Sequence, residues 1–400
     1  MNKLITFGCL VGLLLLAGCA PDDTVAGLVL DEAGAPIAGA VVRLQATELF
    51  TTTDAQGEFT LQGIPTVGEF RLTAFATGFY IKEADTRTGA TDVKIALVAH
   101  SDEDHPEYEF LSAGFSAEGE GENTGCAECH SAIPAEAAKG ITLPLDEWLL
   151  DAHAGSAINP RFLSMYNGSD LSGNQSPETI YISQKDYGAI PLRPTIDENY
   201  FGPGYKLDFP ESQGNCAACH LPVMAINEPY GSDPNFAEGI ALEGVTCDFC
   251  HKVWDVKLNA QGEPFANMPG VMSFEFRRPA DGHQFFAGPY DDVAPGEDTF
   301  SPLQNQSEFC APCHFGDFWN VRVYNSFGEW LDSDYADPQS ERFRTCQDCH
   351  MPPLGMDYFA QTEKGGLQRV ASTIFSHRMP GAVDLPLLQN TAELEVSHSS

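Results

Sequence analysis

The chain has 400 residues, room for two or three domains and an ample core. Its 57 Asp and Glu against 21 Lys and Arg give a formal net charge of −36. Such a chain repels the phosphate backbone, which argues against a nucleic-acid partner, and it is repelled by an anionic membrane surface unless something anchors it. With 43% hydrophobic and 10% aromatic residues it is globular rather than disordered.

The first 18 residues, MNKLITFGCLVGLLLLAG, read as a signal peptide: one Lys, an apolar run, and small residues where the cut belongs. The run is too short to cross about 30 Å of hydrocarbon comfortably. Leu16-Ala17-Gly18-Cys19 resembles the bacterial lipobox, which implies lipidation at Cys19 and removal of Cys9 with the signal. Ala20 follows, not Asp, so the expected location is exported and lipid-anchored, at the outer membrane, on its periplasmic face or at the cell surface.

Residues 24–98 alternate as strands do, in TVAGLVL, AVVRLQA, LFTTT, GEFTLQG, EFRLTAFA and DVKIALV. Turns ending in Gly34 and Gly57 separate them, and the pattern predicts a β-sandwich. The segments GAPIAGAVVRLQ, TTTDAQGEFTLQGI and LTAFATGFY resemble the carboxypeptidase regulatory-like domain. That resemblance implies a spacer or docking module. Residues 99–125 read as an acidic, Gly-rich linker.

Five Cys-x-x-Cys-His motifs fill residues 126–400. Motif 1 is Cys126, Cys129 and His130; motif 2 is Cys216, Cys219 and His220; motif 3 is Cys247, Cys250 and His251. Motif 4 is Cys310, Cys313 and His314; motif 5 is Cys346, Cys349 and His350. From this composition chance supplies only about 0.01 such motifs. Two thiols at this spacing reach the two vinyl groups of one porphyrin, and the His that follows lies under the iron. A redox disulfide or a zinc site does not require a His after every pair. The cofactor expected is therefore haem c, five copies, covalently attached. Successive motifs start 90, 31, 63 and 36 residues apart, so the short intervals predict that motifs 2 and 3 are neighbours, and motifs 4 and 5 likewise.

Six other histidines could complete the iron sites. His153 follows an amphipathic stretch containing Trp148, His283 lies in the Gly-flanked turn DGHQFF, and His377 lies in the loop FSHRMPG. These three are the candidate distal ligands. His100 and His105, in the linker, and His398, near the end, are not assigned. Met351 and Met356, beside motif 5, are read as packing on the macrocycle. An internal echo joins Glu147-Trp148-Leu149 and His153-Ala154 to Glu329-Trp330-Leu331 and Tyr335-Ala336 at the same offsets.

GVTCDFCHKV, SEFCAPCH, GEWLDSDYA and CQDCHMPP resemble segments of the multihaem cytochromes c related to those of hydroxylamine and nitrite metabolism. EWLLDAHAGSA and SHRMPG resemble the distal-His segments of that group. The resemblance implies His130, His220, His251, His314 and His350 as proximal ligands, and His153, His283 and His377 as distal ones. No Cys-x-x-Cys-Lys motif is present, unlike in the pentahaem nitrite reductases. The fold expected is a β-sandwich followed by a mostly α and coil pentahaem domain. The function expected is electron transfer along five haems in periplasmic or extracellular respiration, with redox partners that present basic docking surfaces and with homo-oligomers left open. The alternative is a reductase or oxidase of a small nitrogen or sulfur compound at an open iron.

Overall fold

Seven strands build the N-terminal part: β1 (Val25–Asp31), β2 (Val41–Leu44), β3 (Phe50–Thr52), β4 (Glu58–Leu61), β5 (Glu69–Phe75), β6 (Lys82–Arg87) and β7 (Val93–Leu97). They lie in a computed structural model that describes residues 23–65, 68–114, 125–185, 188–191, 199–294, 296–318, 321–381 and 389. The signal segment, Cys19 and His398 lie outside the described residues. One sheet has the order β4-β1-β7 and the other β3-β2-β5-β6. Between them sits an apolar core of Val25, Val29, Val42, Leu72, Ala74, Ile95 and Leu97, each at most 2% exposed. Burying each larger side chain among these contributes roughly 1.5–3 kcal/mol.

The alternation of sequence appears directly in burial, since every second residue of β4 and β7 is buried. The β1–β7 pair is parallel, with Gly27 opposite Val93. A Cβ on Gly27 would lie 2.0 Å from the Val93 carbonyl oxygen, so this approach needs glycine. Gly57 closes its turn at φ 73°, the left-handed region that glycine enters freely.

Beyond residue 125 the chain is mostly coil with short helices and two-stranded pieces. The helices used below are α1 (Ala127–His130), α2 (Pro144–Trp148), α3 (Pro160–Asn167), α4 (Ala217–His220), α5 (Cys247–Cys250), α6 (Ala311–His314), α7 (Ser326–Leu331) and α8 (Cys346–His350). Among the described helices α3 is the longest, with eight residues. Helices this short are marginal alone and depend on packing. A second core unites α3, α4 and the α5 region through Phe162, Tyr166, Ala217, Leu221, Phe249, Val253, Phe274 and Phe276. Among the described residues no helix is long and apolar enough to cross a membrane.

The acidic segment after the sandwich is fastened at several points. Asp104 takes both Nε (2.9 Å) and Nη2 (2.6 Å) of Arg278. The Asp248 carboxylate accepts from the Tyr108 hydroxyl (2.8 Å) and the Leu111 amide (2.9 Å). Glu243 accepts from the Ser112 hydroxyl and the Ala113 amide.

Candidate functional site

Each Cys-x-x-Cys-His motif occupies one helical turn, α1, α4, α5, α6 or α8, with its His at the last helical position or directly after it. Thr246 and Thr345 cap the helices of motifs 3 and 5 by accepting the amides of Phe249 and Asp348. None of the ten cysteines forms a disulfide.

Thiol contacts between motifs show how these turns are arranged. Cys126 hydrogen-bonds to Cys247, Cys310 to Cys346, and Cys219 to Cys313. Motif 1 thus adjoins motif 3, motif 4 adjoins motif 5, and motif 2 adjoins motif 4. Cys250 of motif 3 is within electrostatic reach of Cys310 and Cys313, which brings all five together. The expected contact between motifs 4 and 5 is present. Motif 2 makes its thiol contact with motif 4 rather than motif 3, although motifs 2 and 3 share the second core.

The histidine rings are held through Nδ1. His130 donates to the Phe359 carbonyl (3.0 Å), His251 to that of Ala287 (2.6 Å) and His350 to that of Pro380 (2.7 Å). His153 donates to the Asp151 carboxylate (2.6 Å) and His283 to that of Glu297 (2.9 Å). Carbonyl and carboxylate oxygens only accept, so Nδ1 carries the proton in all five rings. The lone pair is left on Nε2, the atom that binds a metal when the other nitrogen is fixed in this way. His314 pairs with the Tyr324 hydroxyl at 2.5 Å. Nδ1 of His220 and of His377 is buried without a hydrogen-bond partner. Burial pushes His251, His314 and His377 down to about 4, so all three rings are neutral, as ligation requires.

One pair has the spacing of two axial ligands. The rings of His153 and His314 have centroids 6.0 Å apart and planes inclined at 63°. Two metal–imidazole bonds of about 2.0–2.1 Å, with about 1 Å from each nitrogen to its ring centre, give roughly 6 Å. His377 lies within electrostatic reach of His251 and His130, and its amide donates to Glu147 (2.8 Å). His283 stands apart: its side chain is 64% exposed, and it lines an open cleft of about 590 Å³ with Tyr108, Leu111, Gln284 and Glu297. His100 is buried in an aromatic cage of Tyr80, Trp254 and Phe285 with Nε2 unpartnered. His105 sits beside Glu107 at 3.5 Å. Among the described residues no three His, Cys, Asp or Glu side chains converge as a metal cage.

The echo read in the sequence proves to be a repeated structural unit. Trp148 on α2 donates to the Val245 carbonyl (2.9 Å), and Trp330 on α7 donates to that of Arg344 (2.7 Å). Both acceptors stand two residues before the first Cys of a motif. The Val245 amide bonds to the His153 carbonyl, and the Arg344 amide to the Tyr335 carbonyl, each at 3.0 Å. Buried Asp248 and buried Gln347, each next to that first Cys, pin the strand of chain leading to the other motif of their unit. Unit 1 therefore holds motifs 1 and 3, with motif 2 carried on an insertion between His153 and Val245. Unit 2 holds motifs 4 and 5.

Sequence reading missed the groups that fix the rings. Asp151, two residues before its His, is visible in the sequence as Asp-x-His; Glu297, fourteen residues from His283, leaves no such mark. It also missed the buried ion pair of Lys252 with Asp248, which sits directly behind motif 3.

Comparison with known proteins bears on the sandwich. Its residues 24–98 match the carboxypeptidase regulatory-like domain over their whole length. Residues 24–98 are a carboxypeptidase regulatory-like domain. No curated protein matches the chain. Among solved structures the chain is similar to a cohesin–X-dockerin complex of Acetivibrio cellulolyticus, at 21% identity and a TM-score of 0.16, covering 18% of this chain and 51% of that one. It is similar to Klebsiella pneumoniae 5-hydroxyisourate hydrolase at 25% identity and a TM-score of 0.17, covering 20% of this chain and 92% of that one. A third is 3-chlorocatechol 1,2-dioxygenase of Rhodococcus opacus, at 14% identity, a TM-score of 0.17, and 20% and 61% coverage. The chain thus spans about half the length of the first of these.

The regulatory-like domain docks on its own chain. Asp291 accepts from the Ala46 amide (3.1 Å) and the Thr73 hydroxyl (2.8 Å) of the domain, and from Arg369 (2.7 Å) on the other side. Phe75 packs on Phe300 with ring centroids 4.6 Å apart, and the Ile81 amide donates to the Asp298 carbonyl (2.8 Å).

Proposed function

We propose that this chain is a multihaem c-type cytochrome that carries electrons outside the cytoplasm, tethered by a lipid on Cys19. The observation that carries this reading is the pair His153 and His314, whose ring centres lie 6.0 Å apart with Nδ1 of His153 fixed by Asp151. Ten thiols would hold five haems: Cys126, Cys129, Cys216, Cys219, Cys247, Cys250, Cys310, Cys313, Cys346 and Cys349. His130, His220, His251, His314 and His350 would lie beneath the irons, with His153 serving the iron of His314 and His377 that of His130 or His251. Each haem iron supplies one reversible electron.

The chain's own part is to fix ligands, exclude water and hold the attachment sites together. An imidazole on each side favours six-coordinate iron. Asp151, Phe359, Ala287 and Pro380 fix ring orientation, and hydrogen bonds of this kind raise ligand basicity. The acidic surface, with its net charge of −36, favours the ferric state and a partner that presents a basic face.

The test is the mass and spectrum of the chain made in a host that attaches haem c. Five added groups and sharp reduced bands are expected; a colourless chain of unmodified mass refutes the reading. An oxidised protein with a high-spin ferric signal that binds nitrite or cyanide would favour the reductase alternative.

A further inference from the structure

We propose that the regulatory-like domain positions two of the five irons, those at His130 and His251, by bracing the chain segments that hold the two rings. This rests on the haem reading above and goes beyond it, since the domain then belongs to the iron sites.

Strand β5 has two faces. Leu72 and Ala74 point into the sandwich core, whereas Thr73 and Phe75, 0% and 2% exposed, are buried against the cysteine-rich region. Each begins an arm that ends at a histidine of unit 1.

The first arm runs to motif 1. The Thr73 hydroxyl donates to Asp291 (2.8 Å), which takes Nη1 of Arg369 (2.7 Å), while Asp292 takes Nη2 (2.8 Å). The guanidinium held in this way lies over the rings of Tyr290 (4.9 Å) and Phe359 (5.7 Å), which stack on each other at 5.0 Å. Phe359 lies parallel to the His130 ring, and its carbonyl takes the ring Nδ1 (3.0 Å). The Arg369 amide closes segment 357–369 by donating to the Asp357 carbonyl (2.6 Å). Within that segment Gln361 grips motif 1, donating to the carbonyls of Cys129 and Ser131.

The second arm runs to motif 3. Phe75 packs on Phe300, and the strand Asp298–Phe300 makes two more bonds to the domain. The Ile81 amide donates to the Asp298 carbonyl (2.8 Å), and the Thr299 hydroxyl to that of Phe79 (2.9 Å). This strand pairs in parallel with Phe286–Gly288, placing Thr299 opposite Ala287. The Ala287 amide donates to the His251 carbonyl (2.9 Å), and the Ala287 carbonyl takes Nδ1 of His251 (2.6 Å). Phe286 stacks on that ring at 4.1 Å.

The two histidines are therefore held alike. A Phe ring lies along each imidazole, and the carbonyl of that Phe or of the next residue takes Nδ1. The rings of His314 and His350 are held by Tyr324 and Pro380, which belong to neither arm. A carbonyl on Nδ1 orients the ring and raises its basicity. If the brace loosens, that carbonyl shifts, the ligand weakens, and its iron holds the ferric state less well, so the potential rises.

The experiment uses the full chain carrying five haems, with the potential of each centre read by redox titration under electron paramagnetic resonance. Thr73→Val and Phe75→Ala change no charge and lie outside the sandwich core. His130→Met and His251→Met identify the two signals concerned. Thr73→Val is expected to raise the potential of the His130 centre alone, and Phe75→Ala that of the His251 centre alone. The double variant is expected to raise both and to leave the other three in place. Arg369→Lys keeps the charge but loses the planar fork that joins Asp291 to Asp292, and it is expected to reproduce the Thr73→Val shift with the domain untouched. Unchanged potentials in the double variant and in Arg369→Lys overturn the proposal, whatever happens to the unfolding temperature. So does a shift shared by all five centres, which marks general loosening, or one confined to a centre other than these two. A wild-type preparation without five haems instead defeats the underlying reading.

Discussion

The Asp151–His153 pair shows how much of the chemistry depends on one oxygen. Asp151 is buried, and its Oδ1 accepts both the backbone amide of His153 (2.9 Å) and its ring Nδ1 (2.6 Å). The first bond fixes where the residue starts and the second fixes how the ring turns. On the proposed haem reading, replacing His153 by Ala removes the group beside His314, so one low-spin centre is expected to become high-spin in the ferric resonance spectrum. Asp151→Ala leaves the imidazole in place without its guide. The same centre is then expected to become a mixture of spin states, consistent with the roughly 10–100-fold weakening typical when such an outer partner is removed. Asp151→Asn keeps an accepting oxygen but loses the charge, so the centre is expected to stay low-spin with a higher potential in redox titration. Unchanged spectra in both His153→Ala and Asp151→Ala would remove His153 from the iron.

At the scale of elements, the two tryptophan helices invite a matched comparison. Trp148 is 4% exposed and its indole satisfies the Val245 carbonyl, whereas the Trp330 bond to Arg344 lies at the surface. A buried carbonyl that loses its donor costs about 1–3 kcal/mol, and water repays most of that loss at the surface. In urea unfolding Trp148→Phe is therefore expected to destabilise by more than Trp330→Phe; equal losses would contradict the burial difference. The repeat itself was legible because Glu-Trp-Leu and the residue five places past Trp fall at equal offsets. The motif helices were legible for a similar reason, since Cys-x-x-Cys-His fits one helical turn. Strands β1–β5 and β7 showed through their period-two alternation. Strand β6, KEADTR, did not: it is an edge strand, paired only with β5, and most of its side chains are exposed and polar. Part of the motif arrangement was also hidden. Sequence intervals put motif 2 beside motif 3, and the two do share a core, but the thiol contact of motif 2 with motif 4 left no mark: it is made by an insertion that folds back so that Val245 meets His153. Chain distance carries no information about a contact made by such a return.

At the scale of the whole molecule, the regulatory-like domain and the cysteine-rich region meet over a cluster of acids. Asp291 is fully buried between Thr73 and Arg369, and Asp292 also bonds to Arg369. Asp298 belongs to the same seam: its backbone carbonyl takes the Ile81 amide, and the residue is 7% exposed. Burial, and then the negative charge of Asp292, push its carboxyl up from 3.8 to about 7. The unfolded chain lacks that burial, so the folded protein binds the proton more tightly. The favourable contribution of Asp298 is therefore complete below about pH 4, declines as pH rises towards 7, and is absent above it. A rise of this size sets a ceiling of about 4 kcal/mol on the effect. Asp298→Asn keeps an oxygen for the Gly296 amide and cannot ionise. The variant is expected to match wild type near pH 4 and to exceed it increasingly up to about pH 7, with a constant advantage beyond. The quantity to follow is the difference in unfolding free energy between the two proteins, because every other carboxylate then cancels. A difference that stays flat from pH 4 to 8 would show that the seam does not hold this carboxyl in its protonated form.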